Sequence, residues 1–409
     1  MLLNTDDYRK AARRRLPRTT FDVIDGGAGD EVTLRANRDA FDDFVLRPRA
    51  LADVRTRDLS TTVLGQPVSM PILLAPCGFA RMAHRDAEPA VARAAAAADT
   101  VYSLSTVSSY PLEDVAASTT GALWFQLYPP ADRDACAALV ARASVAGYRA
   151  LVVTIDGATS GLRERDKRNR LTIPIRVTPR MVAEAALRPR WALDFLRGGV
   201  GRGSHGVLTP RKPVSLTQVG RALAATARPV TLDELAFIRD IWPGPLVVKG
   251  VLRGEECRML SDLGVDAVSV SNHGGRQLDR VPAAVDALPE VVSAVGDRME
   301  VFVDGGFRRG TDVAIALALG ARAVMIGRPY LHGLSVGGQD GVSRVLEIMR
   351  AELDQTMCLL GATRVKDLDS SAVVRRDELH GRLRLDDVPS IPRRPPATSD
   401  TGRSARATP

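Results

Sequence analysis

The sequence predicts a closed (β/α)8 barrel, eight parallel strands each followed by a helix. Three observations lead there. Eight short apolar runs rich in β-branched residues recur along the chain, each stopping at a polar residue or a glycine. The runs are continuous rather than alternating, as strands covered on both faces require. Stretches of alanine, leucine and valine at helical spacing lie between most of them. An open doubly wound sheet would use the same units. Eight of them, with polar residues gathered at the strand ends, favour closure.

In order, the strands are PILLAPCG (71–78), VYSLST (101–106), LWFQLY (123–128), ALVVTID (150–156), PLVVKG (245–250), AVSVSNH (267–273), MEVFVDGG (299–306) and AVMIGR (323–328). The clearest helices are 86–99, 132–147, 254–264 and 308–321. We expect one barrel domain over 1–388, with an N-terminal cap over 1–65 and an insertion over 157–230. The Pro-, Ser- and Thr-rich stretch 389–409 is expected to be a disordered tail.

Composition narrows the class. The chain has 409 residues and 45% hydrophobic content, enough for a sizeable core. Its net charge of +8 and pI of about 9.7 suit an acidic substrate. The arginines are spread out, aromatics make up 4%, and no zinc-finger or RNP-type motif occurs, so nucleic acid is not expected as a partner. Cys77, Cys136, Cys257 and Cys358 lie far apart with no CxxC pair. That predicts reduced thiols in a cytoplasmic protein and no metal site. MLLNTDDYRKAARRRLP does not read as a secretory signal, and no apolar run of ~18 residues predicts a spanning helix.

Chemistry in such barrels sits at the C-terminal ends of the strands. Those ends carry Pro76, Cys77 and Gly78; Ser105; Gln126 and Tyr128; Thr154 and Asp156; Lys249; Ser271 and His273; Asp304, Gly305 and Gly306; and Gly327 and Arg328. The last two loops, DGGFRRG (304–310) and GRP (327–329), fall where this fold binds phosphate. Glycines let backbone N–H groups approach phosphate oxygens, and Arg308 and Arg328 add charge and forked donors. Lys249 ends an apolar strand and needs an anionic partner to stay charged there. His273 and Arg276 share the loop after strand six. An imidazole suits a general base, and a guanidinium holds a carboxylate with two parallel hydrogen bonds. Asp156 could orient that imidazole.

SNHGGRQLD (271–279) resembles the active-site signature of the FMN-dependent α-hydroxy acid oxidases and dehydrogenases. GAGDEVTLRANRDAF (27–41), RPRAL (47–51), MPILLAPCG (70–78), FQLY (125–128) and the stretch 304–329 fit the same family, so the resemblance runs from about residue 7 to about residue 375. It implies FMN as cofactor and oxidation of a 2-hydroxy acid to a 2-oxo acid. It implies His273 as base, Asp156 as its partner, Tyr128 on the reacting oxygen, Arg276 as carboxylate clamp and Arg163 as a second active-site arginine. Lys249 would lie beside flavin N1. Pro76, Cys77, Gly78, Ser105, Gln126, Thr154 and Ser271 would contact the flavin ring and ribityl chain. Asp304, Gly305, Gly306, Arg308, Gly327 and Arg328 would form the ribityl–phosphate site. A homotetramer is expected on the same ground.

The family usually places a substrate-binding tyrosine shortly before the GAxDE stretch. Here FDVIDGGAGDE (21–31) puts Val23 at that position. A lost hydrogen bond to a charged group costs about 1.5–3 kcal/mol. Small acids such as glycolate should then bind poorly. A hydrophobic hydroxy acid, or a modified peptide or natural-product intermediate, becomes the expected substrate, unless Arg276 alone holds the carboxylate.

Segment 174–203 carries six arginines against Glu184 and Asp194, with apolar residues spaced for an amphipathic face. A mobile lid over the active site is the favoured reading. Peripheral contact with an anionic membrane is the other. Two further functions compete with the hydroxy acid reading: a type 2 isopentenyl diphosphate isomerase chemistry, and a flavin-binding protein that has lost catalysis. The base, clamp and lysine together argue against both.

Overall fold

The computed structural model describes residues 1–171, 178–197 and 228–382. The expected disordered tail, and residues 172–177 and 198–227 of the insertion, lie outside them. The barrel closes as expected. Its strands are Ile72–Leu74, Tyr102–Ser105, Leu123–Leu127, Ala150–Thr154, Leu246–Val251, Ala267–Val270, Glu300–Asp304 and Ala323–Ile326. Each pairs in parallel with its sequence neighbours, and the eighth returns to the first.

The continuous apolar runs are explained by two covered faces. Leu73, Trp124, Val152, Val247, Phe302 and Met325 fill the interior. Their neighbours Ile72, Leu74, Phe125, Leu151, Val153 and Val248 pack outward with the helices. An antiparallel hairpin, Thr61–Val63 with Gln66–Val68, joins the inner cluster through Val63 and Val68. Leu64 N bonds Glu300 at the start of strand seven, so this hairpin closes the N-terminal end. The mouth at the other end is left for the site.

Strand five breaks its register with strand six between Lys249 and Val251. Gly250 between them has φ +105°, and a Cβ there would lie 2.8 Å from the Asp156 Cβ. Such a bulge re-aims neighbouring side chains. Here only glycine lets strand five pass so close to the aspartate.

The N-terminal helices reach the mouth. Helix Thr5–Arg15 starts on Asn4, whose side chain accepts from Asp7 N, and it carries acids in its first turn and arginines in its last. Helix Arg18–Asp25 carries Val23. Beyond it, Ala28 N bonds Gly275 O and Gly29 N bonds Leu162 O, tying this segment to the loops after strands six and four. Helix Val32–Asp39 follows. The strand Phe44–Leu46 pairs with Val373–Arg375, so both flanks of the barrel meet.

Candidate active site

Sixteen of the twenty residues singled out in the sequence line one cavity at the barrel mouth: Val23, Pro76, Cys77, Gly78, Ser105, Tyr128, Arg163, Lys249, His273, Arg276, Asp304, Gly305, Gly306, Arg308, Gly327 and Arg328. The other four, Asp156, Gln126, Thr154 and Ser271, stand directly behind this wall, bonded to it or to one another.

His273 occupies a left-handed turn with φ 58°, followed by Gly274 and Gly275, also at positive φ. Its Nδ1 lies 3.0 and 3.2 Å from the two Asp156 carboxylate oxygens. Its Nε2 is 3.5 Å from the Tyr128 hydroxyl. Burial works to raise the Asp156 carboxyl, but His273 and Lys249 outweigh it and hold Asp156 below its ordinary range. Asp156 is therefore the anion that an imidazole donor at Nδ1 needs, which leaves Nε2 as the acceptor facing the cavity.

Lys249 is buried and has the anionic partner it requires. Its Nζ lies 2.8 Å from Asp304 Oδ2 and 2.6 Å from Ser271 Oγ. Ser271 Oγ in turn donates to Asp304 Oδ1 at 2.7 Å. Burial pulls the ammonium down, yet Asp304 and Asp156 hold it above the ordinary lysine range. Beside it, Gln126 is held by Ser105 Oγ at 3.1 Å and donates to Thr154 Oγ1 at 3.0 Å.

Three arginines are buried together. Burial, with Arg163 and Arg328 nearby, pushes Arg276 down to about 9. Burial and the neighbouring guanidiniums push Arg308 and Arg328 down to about 10. Such depression marks a cavity with more cations than anions, which a bound anion would relieve. Arg276 Nη1 donates to Val23 O at 2.7 Å and Gly26 O at 3.1 Å. Arg328 donates to Ile24 O, Gly26 O and Gly274 O. Both guanidiniums thus cap the C-terminal carbonyls of the helix that carries Val23.

Other residues complete the site. Ile24, Phe79, Met82, Val107 and Leu331 add apolar wall. Phe79 does so from φ 58°, a conformation rare for a bulky residue. Thr159, Ser160 and Gln277 add polar wall. Gln277 is locked between Asp156 O at 2.9 Å and Gly161 N at 3.1 Å. His332, buried beside Asp25 at 3.8 Å, does not line the cavity, and burial pushes it down to about 3, so it stays neutral. Among the described residues, no group of three His, Cys, Asp or Glu side chains could hold a metal ion.

Barrel and site together define an oxidoreductase-type pocket: an anion-seeking end of glycines and arginines beside a histidine–carboxylate pair. The chain belongs to the FMN-dependent dehydrogenase family, whose description matches residues 12–375. It is 43% identical to an L-lactate oxidase of Nostoc sp. over 90% of this chain and 97% of that protein. It is 44% identical to an L-lactate dehydrogenase of Caulobacter vibrioides over 91% and 98% of the two chains. It is 39% identical to the (S)-mandelate dehydrogenase of Pseudomonas putida over 90% and 92%. A solved structure described as the monotopic membrane protein (S)-mandelate dehydrogenase superposes with a TM-score of 0.86 at 38% identity, covering 91% of this chain and 99% of that one.

The residues present fit FMN. Gly305 and Gly306, at φ +98° and +90°, keep the backbone after strand seven free of side chains, and the depressed arginines supply the charge for a phosphate. Lys249 supplies a buried cation deeper in the mouth.

Proposed function

We propose that this protein oxidises a 2-hydroxy acid with a sizeable apolar side chain to its 2-oxo acid, using FMN. The observation that carries this reading is the line Asp156–His273–Tyr128 opening onto the cavity that Arg163 and Arg276 also face. FMN, when bound, takes up the electron pair released from the substrate carbon. The chain does the rest. The oxidation removes two hydrogens: His273 Nε2 takes one as a proton, Asp156 stabilises the imidazolium that results, and the second hydrogen would leave with the electron pair to the bound cofactor. Tyr128 remains a neutral hydroxyl, raised by burial and by Asp156, and donates toward the reacting oxygen. Arg276 and Arg163 hold the carboxylate. Lys249 is the buried cation that would offset negative charge on a bound cofactor. Pro76, Cys77, Gly78, Ser105, Gln126, Thr154 and Ser271 position the ring and ribityl chain, and Asp304–Gly306, Arg308, Gly327 and Arg328 the ribityl–phosphate end. The family match does not favour the isomerase reading or a retired flavoprotein.

Substrate size follows from the wall. Val23 stands with Ile24, Phe79, Met82 and Val107, so the pocket offers apolar surface where the family usually has a hydroxyl. Anaerobic visible spectra, taken while adding acids from glycolate to mandelate and phenyllactate, should show bleaching with the larger acids. Val23→Tyr should raise kcat/KM for glycolate or L-lactate about 10–100-fold, the worth of one hydrogen bond to a charged group. Ordinary efficiency with glycolate in the natural protein would sink the size argument.

We further propose peripheral membrane contact beside the mouth. Helices Pro179–Ala186 and Pro189–Arg197 pack on the rim, with Trp191 Nε1 donating to Met82 O at 2.9 Å and Glu184 accepting from Thr19 N at 2.9 Å. Their outer side exposes Val182, Leu187, Leu193 and Leu196 among Arg190 and Arg197. Co-sedimentation with anionic liposomes supports this; recovery in the supernatant removes it. The homotetramer is proposed on the family resemblance, and light scattering measures it.

A further inference from the structure

We infer that Asn37, on the N-terminal helix Val32–Asp39, is a positioning residue that holds His273 in its working conformation; this rests on the hydroxy acid reading above. Asn37 is 2% exposed. Its Nδ2 donates to Asn272 Oδ1 at 2.9 Å, and its Oδ1 accepts from Asn272 Nδ2 at 2.8 Å and from Ala284 N at 3.3 Å. Asn272, itself 4% exposed, also donates to Pro282 O at 2.9 Å and accepts from Gly275 N at 3.1 Å. Asn37, Pro282 and Gly275 together thus fill the four hydrogen-bonding positions of the Asn272 amide and leave it one orientation.

Asn272 directly precedes His273. Residues 273, 274 and 275 run through φ 58°, 63° and 73°. Glycine accepts that geometry freely, but a histidine adopts it only where its surroundings impose it. Four contacts impose it: His273 N donates to Ser271 Oγ at 3.0 Å, Gly275 N is gripped by Asn272 Oδ1 and O, Arg328 donates to Gly274 O at 2.9 Å, and Ala28 N donates to Gly275 O at 2.8 Å. Asn37 orients the second grip. Released, the turn can relax, and the imidazole leaves Asp156. The same helix also braces the loop after strand seven. Arg38 Nη1 donates to Gly306 O at 2.6 Å, and the Asn37 carbonyl packs against Gly306. The contact with Gly306 uses backbone, which Asn37→Ala keeps; the Asn37 amide also lies beside Gly305, so flavin content is read together with the rate to separate the histidine turn from the phosphate loop.

In the FMN-loaded protein, Asn37→Ala and Asn272→Ala should each slow flavin reduction at saturating substrate about 10–100-fold, with flavin content unchanged. Together they should be no worse than either alone, as for residues acting as one unit. Added to His273→Ala, Asn37→Ala should change nothing further. Thr33→Ala, which loses a bond from the same helix to Val281, should lower stability without the rate loss. Amide exchange of 272–276 should quicken in Asn37→Ala, and it can be read without any substrate. A wild-type rate in Asn37→Ala, multiplying losses in the double variant, or unchanged exchange would overturn the role. If no 2-hydroxy acid bleaches the natural protein, the functional reading fails instead, and exchange alone decides whether Asn37 holds the turn.

Discussion

His273→Ala should keep its FMN and lose flavin reduction by the substrate, by about 100- to 10,000-fold, the usual worth of a positioned general base. The imidazole lies between Asp156 at 3.0 Å and Tyr128 at 3.5 Å, and the bonds of Arg308 and Arg328 go to backbone carbonyls rather than to the ring. Removing the ring therefore strips the proton acceptor and leaves the anion-binding end intact. Rapid-mixing spectra of the anaerobic protein measure the rate, and the ratio of flavin to protein absorbance measures retention. Asp156→Asn should fall in the same direction by less, because Nε2 still faces the cavity but the imidazolium loses its counter-charge. If His273→Ala arrives without FMN and regains full rate on reconstitution, the histidine belongs to cofactor binding rather than chemistry.

Gly306→Ala should damage fold and cofactor site together. A Cβ at this position would lie 1.8 Å from the Asn37 carbonyl oxygen and 2.7 Å from its carbon, both backbone atoms that no rotamer change can move. The φ of +90° adds strain for any residue but glycine. Overpacking added to this strain costs about 3 kcal/mol or more, which lowers Tm by on the order of 3–4 °C or more in a chain of this length. Flavin content should fall with it, since Gly306 sits in the loop that lines the anion-binding end. Gly65→Ala is the control: its φ is +73°, but nothing lies within 4 Å. That change should cost about 1–2 kcal/mol, the backbone strain alone. Equal melting of the two variants would refute the close approach of the N-terminal helix to the strand-seven loop.

The arrangement that these variants probe was unevenly legible. The strand ends could be read because each apolar run stops at a polar residue, and in a barrel every such stop faces the same mouth. Lys249 announced its need for an anion, since an amine at the end of an apolar strand has few other ways to stay charged. That the anion would be Asp304, bridged by Ser271, required the closed barrel, where strands five, six and seven stand side by side. Asn37 gave no local sign of its role. It lies 235 residues from Asn272, and a pairing that distant leaves no periodicity to detect. Gln277 lies inside the signature SNHGGRQLD, but its bonds to Asp156 O and Gly161 N reach the loop after strand four and leave no mark along the chain.

Sequence alone settled the barrel, the cofactor class and the chemical types at the mouth. Each follows from short-range pattern: continuous apolar runs, the residues that end them, and motifs within a few tens of residues. Folding decided how those groups are held. The left-handed turn at His273, the bulge at Gly250 that admits Asp156, and the capping of the Val23 helix by Arg276 and Arg328 are contacts between distant segments. They exist only after the chain has closed, because close packing and buried hydrogen bonds are properties of surfaces brought together, not of neighbours along the chain.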